Sequence, residues 1–374
     1  MIYLDSAATS FQKPPAVAAA MERAIRTMSS PGRGGYPAAM TAAETAFACR
    51  SALAEMYHAD SPEQVVFTMN ATHGLNIAIK TLVPQGGRAV ISGYEHNAVT
   101  RPLRALEAET AIAAGPLFQP EETAEAFKRL IGPETDAVIC CHVSNVFGFV
   151  LPVEEVAELC RRQGVPFIID ASQSAGILPL DLKNLGAAFI AMPGHKGLYG
   201  PQGTGVLLCG AGTKPLTLIE GGTGSASIQQ EMPEFLPDRL EAGTHNMPGI
   251  TGLLEGVRYV QKRGEGAICR KERQLAQLAQ EGLRAIPGVR VFGQPDLAAQ
   301  AGVVSFTVDG RDVETVGTDL AEQGIAVRTG LHCAPTAHRS AGTLDSGTVR
   351  VSLSDFNTRE EVRAFLAAMK RILG

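Results

Sequence analysis

The chain has 374 residues, 45% hydrophobic and 19% charged, with a formal net charge of −5. That balance builds one large core with room for a second, smaller one, and excludes a disordered or fibrous chain. Without a basic block or an apolar run long enough to span a bilayer, neither nucleic acid nor a membrane is an expected partner.

The seven cysteines are odd in number and lack metal-type pairs, so no metal site is expected. They fit a reducing compartment, and the expected localisation is cytoplasmic. The first residues, Met1-Ile2-Tyr3-Leu4-Asp5, lack the basic and apolar regions of a secretory signal.

In chain order, residues 1–13 form a segment expected to pack on the active site or on a small domain. Pro14-Pro15 opens an Ala-rich helix to about Met28, proline being tolerated in a first helical turn. Strand-like runs follow at Val65–Thr68, Ala89–Ser92, Asp136–Val143, Pro166–Asp170, Ala188–Met192 and Gly205–Cys209, with helices at Glu121–Ile131 and Val153–Arg162. Alternation of this kind predicts an α/β fold with a large, mainly parallel sheet. From Gly221 a glycine-rich, weakly patterned stretch reads as a functional loop.

Leu253–Gln280 reads as a long helix with breaks at Gly264 and Gly266. The domain change is placed there, giving a large domain over 14–252 and a smaller α+β domain over 253–374. In the latter, Val303–Val308 and Ile325–Arg328 are strands and Val313–Gln323 is a helix closed by Gly324. Thr348–Leu353 alternates, with Val349, Val351 and Leu353 on one face and Thr348, Arg350 and Ser352 on the other. Thr358 and Glu361 form a capping box for the last helix.

Asp170 ends one apolar run, and Lys196 follows another through a Pro193-Gly194 turn. Both therefore sit where buried strands empty into loops, the edge at which open α/β sheets bind ligands. An amine and a carboxylate there suit pyridoxal 5′-phosphate, which needs one for its aldehyde and the other for its ring nitrogen. Alone, Lys196 also reads as a surface lysine and Asp170 as a helix cap. Gln173 stands within reach of the cofactor's phenolate oxygen. Asn70-Ala71-Thr72-His73-Gly74 opens a helix after a strand, a place for a phosphate or for ordinary capping. His96 and Asn145 close two further strands. Arg350 suits a substrate carboxylate or is an exposed strand arginine. Cys333 lies in a loop with Arg328, His332 and His338, a setting expected to be electropositive and to favour the thiolate.

Taken together, the chain resembles the class V aminotransferase family, and within it the cysteine desulfurases and selenocysteine lyases. The resemblance runs through Tyr3–Ala8, Asn70–Gly74, Glu95-His96, His142–Asn145, Asp170–Gln173, Gly194–Lys196, Glu241–Thr244, Arg328–Gly330, Cys333 and Arg350. It implies the pyridoxal-phosphate fold of type I and a homodimer. It also implies that Lys196 binds the cofactor's aldehyde carbon, Asp170 pairs with the ring nitrogen and His96 stacks on the ring. Gln173 and Asn145 would bond its polar edge. Ala71, Thr72 and His195 would hold phosphate, with Thr244 supplied by the second subunit. Ala8, Asn145, Arg328 and Arg350 would hold the substrate, L-cysteine or L-selenocysteine. Cys333 would take the sulfur as a persulfide and pass it to an acceptor protein.

Two departures mark a divergent subgroup. Pro193 stands where many relatives have serine or threonine, removing one expected phosphate contact, and Asn97 replaces a second histidine. The rival readings are a selenocysteine lyase, another aminotransferase or β-lyase acting on a small amino acid, and a cofactor-binding protein without turnover. Cys333 discriminates, because transamination does not need it.

Overall fold

The computed structural model describes residues 1–32, 34–294 and 298–374. Their elements are β1 (Ile2–Tyr3), α1 (Pro15–Thr27), α2 (Pro37–Met56), β2 (Val65–Thr68), α3 (Ala71–Leu82), β3 (Arg88–Ser92), α4 (Asn97–Ala105) and β4 (Glu109–Ala113). Next come α5 (Pro120–Leu130), β5 (Ala137–Cys141), α6 (Val153–Gln163), β6 (Phe167–Asp170), α7 (Leu182–Leu185), β7 (Phe189–Pro193) and β8 (Gly205–Cys209). After a long irregular stretch the chain forms α8 (Met247–Arg263), α9 (Glu265–Arg284), β9 (Val289–Phe292), β10 (Val303–Val308) and α10 (Val313–Glu322). It ends with β11 (Ile325–Ala326), β12 (Arg328–Gly330), α11 (Pro335–Ala341), β13 (Thr348–Ser352) and α12 (Arg359–Leu373).

A seven-stranded sheet in the order β2-β8-β7-β6-β5-β3-β4 forms the centre. β7, β6, β5, β3 and β4 run parallel, and β8 is antiparallel to both its neighbours. β5, β6, β7 and β8 are buried at every position, as their unbroken apolar runs require when helices cover both faces. Helix ends are marked chemically. Asn70 caps α3 by accepting from the His73 N–H, and Gly164 closes α6 in the left-handed region at φ 68°.

A second core lies between α9, α10, α12 and a four-stranded sheet in the order β12-β13-β10-β9. The predicted long helix is two helices, broken at Gly264. Of these, α8 packs its Met247, Ile250, Leu253, Leu254 and Val257 into the first core, and α9 packs Leu275, Ala276, Ala279 and Leu283 into the second. The N-terminal segment touches both halves. β1 pairs with β11, and residues 4–7 run beside β13 through Ser352 N–H to Leu4 O (2.8 Å) and Ala7 N–H to Ser352 Oγ (2.9 Å).

Candidate active site

The carboxyl edge of the parallel strands gathers the polar residues. A cavity of about 540 Å³ there is lined by Asn70, Ala71, Thr72, His96, Asn145, Asp170, Gln173, His195 and Lys196. They end or follow five strands, β2, β3, β5, β6 and β7, so the sheet order itself brings them together.

Asp170 ends β6, buried, with its Oδ1 accepting from the Ser172 N–H at 2.9 Å. Lys196 follows β7 through the Pro193-Gly194 turn. Burial lowers its pKa to about 8, an effect that Asp170 opposes and Arg350 reinforces. A usable fraction of neutral amine therefore exists near neutral pH, as attack on an aldehyde requires. His96 caps α4, its Nδ1 accepting from the Ala98 N–H at 3.0 Å, which leaves the proton of the neutral ring on Nε2. Burial lowers its pKa as well.

Ala71 and Thr72 form the first turn of α3, whose N–H groups and dipole favour an anion. The approach of this turn to the sheet depends on Gly205, where a Cβ would meet the Asn70 backbone at 2.7 Å. His195 bonds the Thr9 hydroxyl through Nδ1 at 3.0 Å, and burial lowers its pKa to about 4. Pro193 lines the cavity without a donor of its own. Gln173 donates from Nε2 to the Ala7 carbonyl at 2.9 Å.

Thr244 does not line this cavity. It is exposed and borders a separate one with Thr68, Met69 and His73. Its loop is fastened by Glu241, which accepts from Arg50 Nη1 at 2.8 Å, Arg50 Nη2 at 2.5 Å and the Phe67 N–H at 2.6 Å, and pairs with His245 Nε2 at 2.5 Å.

Next to Asn145, Arg350 of β13 is 2% exposed. Its Nη1 donates to Asn145 O and its Nη2 to Asp5 Oδ1, both at 2.8 Å. Arg328 donates from Nε to Asp5 Oδ2 at 3.0 Å. Ala8 lies in the turn after Asp5, its N–H donating to the Asp5 carbonyl.

The loop that carries Cys333 is tied to the cavity walls. Asn97 N–H donates to Cys333 O at 2.8 Å, and Asn145 Nδ2 to His332 O at 2.8 Å. His332 and Cys333 both adopt the left-handed region, at φ 49° and 55°, a costly backbone for residues with a Cβ. Of the expected electropositive surroundings, Arg328 and Arg350 act on His332 as positive charges, but the histidines do not contribute. His332 and His338 are buried, and burial lowers their pKa to about 2 and about 4, so neither carries charge near neutral pH.

Two residues without a role in the sequence reading emerge. Asp5 was visible only as the lone charge in Tyr3–Ala8. Glu95 is wholly buried, with Oε1 accepting from Ser92 Oγ at 2.5 Å and the Cys141 N–H at 2.7 Å. Burial raises its pKa to about 8. A glutamate beside a histidine gave no sign of this; the signal lay in the strand pairing that buries it.

An amine of lowered pKa, a carboxylate and a helix N-terminus around one cavity define a class of site that takes a phosphorylated aldehyde with a ring nitrogen. The sequence comparison agrees. The model of the family described as aminotransferase class-V matches residues 2–365, and the chain belongs to that family.

A protein of Mycolicibacterium paratuberculosis named "Probable cysteine desulfurase" is 35% identical over 100% of this chain and 55% of its own length. Another of that name, from Pyrococcus abyssi, is 32% identical over 100% of this chain and 94% of its own. The chain thus spans about half the length of the first relative and nearly all of the second. The apo structure of cysteine desulfurase from Thermococcus onnurineus superposes with a TM-score of 0.90 at 31% identity, covering 99% of this chain and 94% of that one.

Proposed function

We propose that the protein is a pyridoxal-phosphate-dependent cysteine desulfurase that converts L-cysteine to L-alanine and carries the released sulfur as a persulfide on Cys333. The observation that carries this reading is the state of the thiols. All seven cysteines are free; six are buried, and Cys333 alone is exposed, on a loop bonded to the cavity wall. The names of the relatives support the same activity. A transaminase has no use for such a thiol.

The donor set fits the cofactor: Lys196 for its aldehyde, Asp170 for its ring nitrogen, His96 for its ring face, Gln173 and Asn145 for its polar edge. The first turn of α3 and His195 serve its phosphate. When bound, pyridoxal phosphate supplies an electron-withdrawing ring that acidifies the substrate Cα–H. Lys196 takes that proton, holds it, and returns it to Cα after the sulfur has left. Asp170 keeps the ring nitrogen protonated. Arg350, with Arg328 and the Ala8 turn, binds the substrate carboxylate and orients its side chain toward the loop. The Cys333 thiolate attacks the substrate sulfur; the S–S bond forms as the Cβ–S bond breaks. The electron pair stays with carbon, which takes up a proton to give alanine.

Thr244, exposed on its fastened loop, is assigned to the phosphate of a second copy, which makes the enzyme a homodimer with shared sites. The exposed persulfide is passed to an acceptor protein. Seven cysteines without metal-type pairs support a reducing, cytoplasmic setting; among the described residues, no helix is long and apolar enough to cross a membrane.

The test is alanine release from L-cysteine, with alkylation to trap the persulfide, for wild type and Cys333→Ala. Loss of both in the variant, with the cofactor retained, is expected. Alanine release at the wild-type rate would replace this reading by a β-lyase or transaminase.

A further inference from the structure

Arg328 and Arg350 face one another directly across the antiparallel pair β12 and β13. Two like charges in register oppose pairing, and Arg350 is almost wholly buried. What makes the arrangement tolerable is Asp5, 7% exposed, whose two oxygens each take one guanidinium. Its place is fixed by the backbone. Residues 4–7 lie along β13, with Asp5 bridged to Ser352, so its side chain comes level with Arg350. Tyr3 adds a bond from its hydroxyl to the Asp5 carbonyl at 3.1 Å.

Asp5 does not satisfy the pair fully. Two guanidinium groups and one carboxylate leave one positive charge. Asp5 occupies Nη2 of Arg350, Asn145 O occupies Nη1, and among the described residues the buried Nε has no partner. An unpaired buried donor on a charged group is costly. A side-on carboxylate would satisfy it by taking Nε together with the second Nη2 hydrogen.

We propose that Asp5 is the positioning residue of the substrate clamp: it holds Arg350 and Arg328 in one orientation and leaves one charge and one donor edge for a substrate with a single carboxylate. Asp5 does not line the cavity; it acts through the two arginines. The N-terminal strand is thereby part of substrate recognition, although the arginines belong to the small domain. The inference rests on the proposed role of Arg350, and the experiment separates the two.

The full chain, loaded with pyridoxal phosphate and carrying Cys333→Ala to block sulfur transfer, is titrated with L-cysteine and with cysteamine, which has the amine and thiol but no carboxylate. Binding is read from the absorbance of the bound cofactor. Asp5→Asn keeps the shape and removes the charge. It should weaken L-cysteine on the order of tenfold, within the range of couplings between members of one salt-bridge network, and leave cysteamine unchanged.

In the Cys333-containing enzyme, Asp5→Asn should raise KM and spare kcat. Asp5→Glu, which keeps the charge but displaces it, should fall between Asp5→Asn and wild type, and it serves alone if the asparagine variant does not fold. Equal effects on L-cysteine and cysteamine, or none on either, would overturn the proposal and leave Asp5 a structural residue. Arg350→Lys is the control: if it leaves L-cysteine binding intact, the carboxylate clamp itself is wrong, whatever Asp5 does.

Discussion

The amine of Lys196 should titrate near neutrality, and Asp170 should set where. Burial lowers its pKa from the ordinary 10.5 to about 8. A 2.5-unit difference corresponds to about 3.4 kcal/mol between the two protonation states. At pH 7 roughly one Lys196 in eleven is then neutral, against about one in three thousand for an ordinary lysine, a ratio of roughly 300. The sign is fixed: the neutral fraction rises with pH, about tenfold per unit until it levels off near 8. Asp170 favours the charged form, so Asp170→Asn should move the midpoint down, whereas removing Arg350 should move it up. The assay is the rate at which cofactor-free protein combines with pyridoxal phosphate, followed by absorbance from pH 6 to 10 and corrected for the titration of free cofactor. Borohydride reduction and peptide mapping identify the lysine. A midpoint near 10.5, or an upward shift in Asp170→Asn, would refute the argument, since burial and Asp170 could then not govern this amine.

Other outcomes follow from the same geometry. Glu241→Ala leaves Arg50 buried and unpaired, which should cost about 3–5 kcal/mol in urea unfolding; a loss below 1 kcal/mol would mean that the pair contributes little. Thr358→Ala removes the Thr358–Glu361 capping box of α12 and should cost about 1 kcal/mol in the same experiment. Sedimentation at assay concentration should give a dimer, and a fully active monomer would exclude a shared site at Thr244. Finally, iodoacetamide labelling of Cys333 should show no inflection between pH 6 and 7, because His332 and His338 stay neutral there. An inflection abolished by His338→Gln would show that a histidine does charge beside the thiol.

The sheet was legible because its strands are buried on both faces and therefore read as unbroken apolar runs. β2 and β8 were recovered to the residue, and the ends of β3, β5, β6 and β7 to within two. The strands that escaped are of another kind. β4, Glu-Thr-Ala-Ile-Ala, lies at the sheet edge with an exposed glutamate and isoleucine, so no apolar run announces it. β9 carries an exposed Arg290 between half-buried valines and also forms an edge. α2 escaped because eight of its twenty residues are alanine: both its faces are weakly apolar, and alanine marks helix propensity without marking a side. The antiparallel direction of β8 was not legible either, for a short apolar run between glycines reads the same in either direction.

The site divides along a similar line. Residues at the carboxyl edge could be found from the chain alone because a polar residue closing an apolar run has one obvious location, and Asp170, Lys196, His96 and Asn145 all have that form. Charge balance could not be found that way. Whether Arg350 is free for a substrate depends on Asp5, which lies 345 positions away in sequence and comes level with it only because the N-terminal strand runs along β13. Whether His332 and His338 add to the charge that Arg328 and Arg350 bring to the Cys333 loop depends on their burial, which their spacing does not reveal. Sequence patterns locate a side chain relative to its own strand or helix. The protonation and pairing of that side chain depend on elements remote in the chain, and there the three-dimensional contacts carry information that no local pattern holds. Here the remote element is the segment 3–10, whose bonds to Gln173, His195, Arg328 and Arg350 join residues that follow the central sheet's strands to residues of the second sheet.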